Sequence, residues 1–167
     1  MAVTVLGIDP GFVDMGLAII ERTATGWSVV HTMTSRTNAS QSRSERMAIH
    51  CANLLTVTET WRPAIICCED VQGVFHGAQQ HTGKTSAAVL NLLRVEGAAE
   101  CVAARIGVPF VSVRPQTWRA HFGLGKATDA QIRQMVERIA GKINGSFHAV
   151  EAAAIGICGA ARWRSAA

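Results

Sequence analysis

Short apolar runs rich in β-branched residues open the chain, and segments of helical periodicity follow them. The first run, Val3 to Ile8, predicts a buried strand that ends at Asp9, because a proline and a glycine come directly after it. Gly16 to Ile20 is a second apolar run, close enough to form a hairpin with the first. Trp27 to Thr32 predicts a third strand, so the first part of the chain is expected to form an antiparallel meander.

From residue 42 onward, helical patterns alternate with strand patterns. Residues 42–45 and 128–131 have the form of capping boxes, which mark the starts of two helices. We predict helices at about 43–60, 84–106, 115–119, 128–142 and 146–162, and strands at 64–68 and 108–113. Strands separated by helices pair in parallel. The order therefore predicts one α/β domain over residues 1–167, with a five-stranded mixed sheet, three antiparallel then two parallel strands, and helices on both faces.

The composition suits a chain with one buried core. Of 167 residues, 49% are hydrophobic, yet no apolar run reaches the ~18–20 residues of a membrane-spanning helix. The N-terminus lacks the features of a signal peptide. The five cysteines form no CxxC pair and lie in apolar segments, which indicates reduced, buried thiols rather than zinc ligands or disulfides. We therefore expect a cytoplasmic protein with no membrane partner.

Positive charge is concentrated in the last third of the chain. From Arg114 onward there are eight basic and three acidic residues, a surplus of five, and the whole chain carries +4, which leaves −1 for the residues before it. A basic C-terminal third favours a polyanionic partner such as nucleic acid. The alternative is an ordinary solvated helical surface.

Four titratable side chains lie where the predicted elements bring them together. Asp9 and Glu69 each follow an apolar run of similar length, which places both carboxylates at neighbouring strand ends. His148 and Glu151 are three residues apart on the last predicted helix and so share one face. Crowded carboxylates repel each other unless cations join them, and such oxygen ligands suit Mg²⁺ or Mn²⁺. Two ions of this kind would stabilise the attacking and leaving oxygens of phosphodiester hydrolysis.

Three of these side chains also have a purely structural interpretation. Asp9 suits a turn, because Asp-Pro-Gly is favourable turn chemistry, and Glu69 would be a surface acid at a strand end. His148 would be a surface residue near the start of its helix. Glu151 is different, because the alanines around it predict burial, and a buried acid needs a partner.

Three motifs in this order resemble the RuvC family of Holliday junction resolvases: GIDPG at 7–11, ICCED at 66–70 and HAVEAAAIGICGA at 148–160. The resemblance covers nearly the whole chain. It implies an RNase H-like fold and a structure-specific endodeoxyribonuclease, of bacterial or phage type. Such an enzyme cuts four-way DNA junctions symmetrically during recombination and repair.

The resemblance assigns roles to the four side chains by position. It implies that Asp9, Glu69, His148 and Glu151 are the catalytic tetrad and the metal ligands, for two Mg²⁺ ions that Mn²⁺ can replace. Histidine at the third position lies within the family's pattern. Glu151 departs from it, because aspartate is usual there, and the longer side chain extends the carboxylate by one methylene group.

The resemblance also implies contacts with junction DNA. Family members carry lysines near the fifth strand and before the next helix, where this chain has arginines and one lysine. The loop after the fourth strand is expected to reach the branch point. Its phenylalanine would wedge against bases or, alternatively, fold back onto the core. The expected DNA-binding residues are Phe75, His76, Lys84, Arg114, Arg119 and Lys126.

Symmetric cleavage of a four-way junction needs two identical sites, so a C2 homodimer is expected. The helix predicted at 84–106 is the expected interface, because it carries Leu90, Leu92 and Leu93 beside small residues. The alternative is that all of this apolar surface is core. Branch-migration helicases are further candidate partners.

Three other functions compete with junction resolution. Another RNase H-like nuclease, acting on RNA–DNA hybrids or in ribosomal RNA processing, would use the same carboxylates. The long loop and the long helix favour the RuvC pattern over it. A binding-only junction module is disfavoured because three carboxylates and a histidine are retained. An actin-like ATPase needs two lobes, for which 167 residues are too few.

Overall fold

The computed structural model describes residues 2–71, 86–123 and 125–163. The strands are β1 Val3–Asp9, β2 Asp14–Thr23, β3 Gly26–Arg36, β4 Ile65–Glu69 and β5 Phe110–Val113. The helices are α1 Arg43–Trp61, α2 Ala87–Ile106, α3 Pro115–His121, α4 Asp129–Ala140 and α5 Phe147–Arg162. Within these ranges, no helix is both long and apolar enough to cross a membrane.

The strands form one sheet in the order β3-β2-β1-β4-β5. The first three strands pair antiparallel, whereas β4 pairs parallel with β1, and β5 pairs parallel with β4. The predicted mixed sheet is thus confirmed. Because β1 lies between β2 and β4, it joins the antiparallel meander to the parallel half of the sheet.

The alternation of side chains along each strand divides the interior into two cores. In β1, Leu6 packs in the core that α1 and α2 cover, while Val5 and Gly7 face α5. In β4, Cys67 lies on the α5 side and Cys68 on the opposite side. Helices therefore cover both faces, as the sequence predicts, and α3 and α4 pack against α5 on the same side of the sheet.

Local polar groups set the ends of the helices. The capping boxes predicted at 42–45 and 128–131 are both present. Helix α2 begins three residues later than predicted, because the Ser86 hydroxyl accepts from the backbone N–H of Val89 and so caps it there. Strand β3 continues to Arg36, four residues beyond its predicted end, because its pairing with β2 extends that far.

Two glycines bring α5 close to the sheet. A Cβ atom on Gly7 would lie 1.9 Å from the backbone oxygen of Ala152, and one on Gly16 would lie 2.1 Å from the backbone oxygen of His148. Only glycine permits these approaches, since a methyl group has no room at either position. The spacing of α5 from the sheet therefore depends on residues without side chains.

The cysteines depart from expectation at two positions. Cys67, Cys68 and Cys158 are buried as predicted, but Cys101 is exposed on α2 and Cys51 is only partly buried. The prediction of burial is wrong there because a helix that packs on one side leaves its other positions open to solvent. All five thiols are free. A cytoplasmic location stays a prediction.

Candidate active site

Asp9 and Glu69 lie next to each other where β1 and β4 end. The parallel register pairs Ile8 with Cys68, so the residues that follow them are neighbours. Both acids occupy the strand positions whose side chains face α5, two residues after Gly7 and Cys67 respectively. Strand alternation therefore delivers both carboxylates to the same side of the sheet.

The N-terminal part of α5 completes the group. As predicted, Ser146 caps the helix, and its hydroxyl accepts from the backbone N–H of Ala149. Ligand atoms of Asp9, His148 and Glu151, one from each residue, all lie within 4.8 Å of one another. Three of the four predicted site residues thus form one compact cluster of two carboxylates and an imidazole.

Asp9 and His148 contact each other directly. Nδ1 of His148 lies 2.7 Å from Oδ2 of Asp9. This hydrogen bond, with the charge of Asp9, raises the pKa of His148 above its ordinary value despite partial burial. In the neutral tautomer that donates from Nδ1, the lone pair lies on Nε2, which is then the nitrogen able to bind an ion or a water molecule.

Glu69 is held by a side chain that the sequence analysis did not identify. Nε1 of Trp118 donates to Oε1 of Glu69 at 2.8 Å, and Trp118 is completely buried. Burial raises the pKa of Glu69 to about 7, although the Trp118 hydrogen bond acts in the opposite direction. The two residues are 49 positions apart, and no spacing rule connects them.

Glu151 has the partner that its burial predicts, and the partner is Arg119. Nη2 of Arg119 lies 3.3 Å from Oε1 of Glu151. Burial, followed by the charges of Asp9 and Glu69, raises the pKa of Glu151 to about 8, against the lowering effect of Arg119. Glu151 is therefore electrostatically coupled to both strand-end acids, Asp9 and Glu69.

A hydrogen-bond network holds the turn that follows β1. The carbonyl of Phe12 accepts from Thr37 Oγ1 at 2.8 Å, Arg46 Nη2 at 2.9 Å and His50 Nε2 at 3.1 Å. Burial lowers the pKa of His50, so the ring is neutral, and its Nδ1 accepts from the Ser35 hydroxyl at 2.8 Å. The network fixes the chain directly after the first site residue. The sequence analysis missed it because an arginine and a histidine within an amphipathic helix carry no distinctive signal.

The predicted DNA-binding residues are described only in part. Phe75, His76 and Lys84 lie outside the described residues. Arg114 has 75% of its side chain exposed, and its Nε lies 3.6 Å from Oδ2 of Asp70. Lys126 is exposed and lines a groove of about 500 Å³ together with Gln131 and Arg138. Arg119 differs from these, because it reaches into the cluster.

The donor set fits a hard divalent cation. Carboxylate oxygens and one imidazole suit Mn²⁺ well and Mg²⁺ through the oxygens. Crowding and burial make the ionised carboxylates costly without a compensating cation, as the raised pKa values of Glu69 and Glu151 show. Asp9, His148 and Glu151 are therefore the groups that would hold such an ion, with Glu69 beside them.

These raised pKa values predict how the stability of the metal-free protein depends on pH. A carboxyl group whose pKa is higher in the folded state than in the unfolded state binds more protons when folded. With pKa values of about 7 for Glu69 and about 8 for Glu151, the melting temperature in EDTA should fall as the pH rises from 6 to 9. Mg²⁺ or Mn²⁺ should restore it most at the alkaline end.

Glu151→Gln supplies the control for this prediction. The amide does not ionise, so the variant in EDTA should lose less stability than the wild type over the same pH interval. Thermal unfolding followed by circular dichroism measures both. An equal fall in the two proteins would contradict the assignment of part of the pH dependence to Glu151.

Comparisons with known proteins identify the family. A family model described as crossover junction endodeoxyribonuclease RuvC matches residues 5–159, a range that includes all four site residues. The chain belongs to the RuvC family. This membership makes it a crossover junction endodeoxyribonuclease and confirms the function implied by its three motifs.

Curated RuvC proteins match over most of their length. The RuvC of Parvibaculum lavamentivorans is 32% identical over 170 residues, covering 95% of this chain and 86% of that protein. The RuvC of Leifsonia xyli is 29% identical over 168 residues, covering 98% and 76% respectively. Both carry the name crossover junction endodeoxyribonuclease RuvC.

Solved structures confirm the fold. RuvC of Thermus thermophilus superposes with a TM-score of 0.78 at 22% identity, covering 95% of this chain and 93% of that one. The same protein in complex with a Holliday junction substrate gives a TM-score of 0.77 at 21% identity, with the same coverage. At these identities the likeness shows the fold, which is the RNase H-like fold of RuvC.

Proposed function

We propose that this RuvC-family nuclease resolves four-way DNA junctions by metal-dependent hydrolysis at Asp9, Glu69, His148 and Glu151. The observation that carries the assignment is the cluster of Asp9, His148 and Glu151, whose ligand atoms lie within 4.8 Å of one another, with a third acid, Glu69, beside it. Family membership supplies the reaction class, and the cluster supplies the residues.

The chain's own side chains divide the work at this site. Asp9 and Glu69 are held by rigid strand ends, and Trp118 fixes one oxygen of Glu69, which leaves the other available to an ion. His148 is oriented by Asp9 and presents its second nitrogen to an ion or to the attacking water. A bound Mg²⁺ or Mn²⁺, proposed as two ions per site, would activate water and stabilise the charge on the phosphate oxygens.

Glu151 takes the place that aspartate usually occupies in the family. Its carboxylate is partly buried and electrostatically coupled to Asp9 and Glu69, so the longer side chain still reaches the cluster. This geometry supports a functional site rather than an inactive one, and it speaks against a binding-only junction module.

Basic side chains are proposed to bind the phosphates of the junction. Arg114 and Lys126 have exposed side chains, as phosphate contacts require. Arg119 is the proposed contact nearest to the reacting phosphate, because it already lies against a site carboxylate. His76 and Lys84 are also proposed to contact phosphates, on the basis of the sequence alone. Branch-migration helicases are proposed as protein partners on the same basis.

Phe75 is proposed to stack on an opened base at the branch point. Phe75→Ala should keep the wild-type melting temperature but cut intact junctions poorly, because stacking on a base is worth about 1–3 kcal/mol. Junctions with unpaired bases at the centre should restore cleavage by the variant. A lowered melting temperature without such rescue would instead identify Phe75 as a core anchor.

We propose that the active form is a homodimer formed through α2. One face of this helix is core, with Val95 and Ala99 buried, while Leu90 is 41% exposed in the single chain. Leu90→Glu should convert a dimer into a monomer in sedimentation experiments at micromolar concentration. Ile139→Glu, a matched change at a 39% exposed position on α4, should stay dimeric. A monomeric wild type with full activity would contradict the proposal.

The test of the function is cleavage of a synthetic four-way junction, compared with linear duplex and RNA–DNA hybrid, in Mg²⁺ and in Mn²⁺. Symmetric nicks in two opposing strands of the junction are the expected result. Preferred cleavage of the hybrid would instead favour a different RNase H-like nuclease. Junction binding without cleavage in either metal would favour a binding-only module.

A further inference from the structure

Two consecutive side chains of the short helix α3 contact two of the site carboxylates. Trp118 donates to Glu69, and Arg119 lies 3.3 Å from Glu151. The guanidinium carbon of Arg119 also lies 4.6 Å from the centroid of the Trp118 ring, which is within the range of a cation–π contact. Arg119 is therefore held between an aromatic face and a carboxylate at the edge of the cluster.

The two contacts differ in how easily they can be broken. Trp118 is fully buried, and its hydrogen bond to Glu69 is short. Arg119 has 30% of its side chain exposed, and its ion pair with Glu151 is longer. A long, partly exposed side chain can leave its carboxylate without disturbing the fold, whereas a buried indole cannot.

Charge explains why the arginine would leave. Glu151 is the ligand candidate whose oxygen already faces a positive charge. A divalent cation bound among Asp9, His148 and Glu151 would compete with the guanidinium for this carboxylate and would repel it. The metal ion and the Arg119–Glu151 contact therefore oppose each other.

We propose that Arg119 is a placeholder cation. It donates to Glu151 in the metal-free protein, releases this side chain when a divalent ion binds, and is then available to the DNA phosphate at the site. The inference rests on the metal-dependent cleavage proposed above, which it deepens by coupling metal entry to the position of a phosphate-binding side chain.

The inference predicts opposite effects on metal binding and on cleavage. Arg119→Gln removes a positive charge that repels the ion, so it should tighten Mn²⁺ binding in the absence of DNA by roughly three- to tenfold. Protonation of Glu151 also becomes more favourable, but the ion carries two charges and the proton one, so the ion gains more. The same variant should cut junctions more slowly, because the phosphate loses its nearest cation.

Mn²⁺ binding is measured by electron paramagnetic resonance of the free ion, on full-length protein without DNA. Arg114→Gln is the matched control, because it removes the same charge from the N-cap of the same helix, where the arginine pairs with Asp70 rather than Glu151. Its Mn²⁺ affinity should stay within about twofold of wild type. Asp9→Asn should lose Mn²⁺ affinity, which would show that the measured ion binds at the cluster of Asp9, His148 and Glu151.

A second measurement, tryptophan fluorescence, reports on the contact between Arg119 and Trp118. Departure of the guanidinium from the Trp118 ring should change tryptophan emission when Mg²⁺ is added to the wild-type protein. Arg119→Gln should show no such change, because it has no guanidinium to lose. An equal change in the two proteins would overturn the placeholder assignment.

The outcomes distinguish a failure of the placeholder role of Arg119 from a failure of the proposed junction cleavage. If Arg119→Gln binds Mn²⁺ no more tightly than Arg114→Gln does, the placeholder role of Arg119 is overturned. The proposed function, junction cleavage, is not affected by that result. Wild-type protein that binds Mn²⁺ but cuts no junction overturns the proposed function, while tighter binding by Arg119→Gln would still support the placeholder. Absence of Mn²⁺ binding by the wild type overturns both.

Discussion

Asp9→Asn should abolish junction cleavage, by roughly 10³-fold or more, while the affinity for the junction stays close to that of the wild type. The side chain keeps its size, and its amide oxygen can still accept from His148. What disappears is the negative charge that a divalent ion requires. Affinity is retained because it comes mainly from basic contacts with phosphates.

The same reasoning extends to the other two acids of the site. Glu69→Gln still accepts from Trp118 and Glu151→Gln still accepts from Arg119, so each variant should fold and bind DNA without cleaving it. Cleavage is measured on a labelled four-way junction, and binding by gel shift in Ca²⁺. Normal cleavage by Asp9→Asn would show that the site is assigned incorrectly.

Asp129→Asn is the matched control for Asp9→Asn. It makes the same chemical change at an exposed acid in the first turn of α4, outside the cluster. Its cleavage rate should remain within about twofold of wild type, since an exposed charge acts only weakly through solvent. A comparable loss in the control would mean that general charge effects dominate.

Gly16→Ala should lower both stability and activity strongly. The added methyl group would lie 2.1 Å from the backbone oxygen of His148, and backbone cannot rotate away as a side chain can. Helix α5 must therefore shift away from the sheet, at a cost of about 3 kcal/mol, as for severe overpacking. For a chain of this size the melting temperature should fall by roughly 6–12 °C.

The activity of Gly16→Ala should fall further than its stability alone explains, because the displaced backbone carries a site residue. This is measured below the melting transition, with the folded fraction checked by circular dichroism. Gly125→Ala is the control, since a Cβ atom there meets no atom within 4 Å and the backbone is not in the left-handed region. Similar losses in the two variants would contradict the steric argument.

The sequence predicts most of the fold because its patterns are local. Capping residues and apolar runs each act over a few positions, so they locate the elements and place Asp9 and Glu69 at neighbouring strand ends. The spacing of His148 and Glu151 on one helix is equally local. These are the parts of the site that the sequence analysis identifies.

The contacts that complete the site are not local, and the sequence analysis misses them for that reason. Trp118 reaches Glu69 across 49 residues, and Arg119 reaches Glu151 across 32. Both depend on how α3 packs against α5, which no periodicity encodes. The assignment of Arg119 to phosphate binding alone therefore overlooks its contact with a site carboxylate.

The position of α5 at the centre of one core has a consequence for synthesis of the protein. This helix contacts all five strands, yet it is the last helix of the described chain, and it carries two of the four site residues. Chains emerge from the ribosome N-terminus first, and long-range contacts form late in folding. The growing chain therefore contains Asp9 and Glu69 before it contains His148 and Glu151. Truncated translation products that lack α5 should have no nuclease activity. Junction cutting can begin only after α5 has been synthesised and has packed on the sheet.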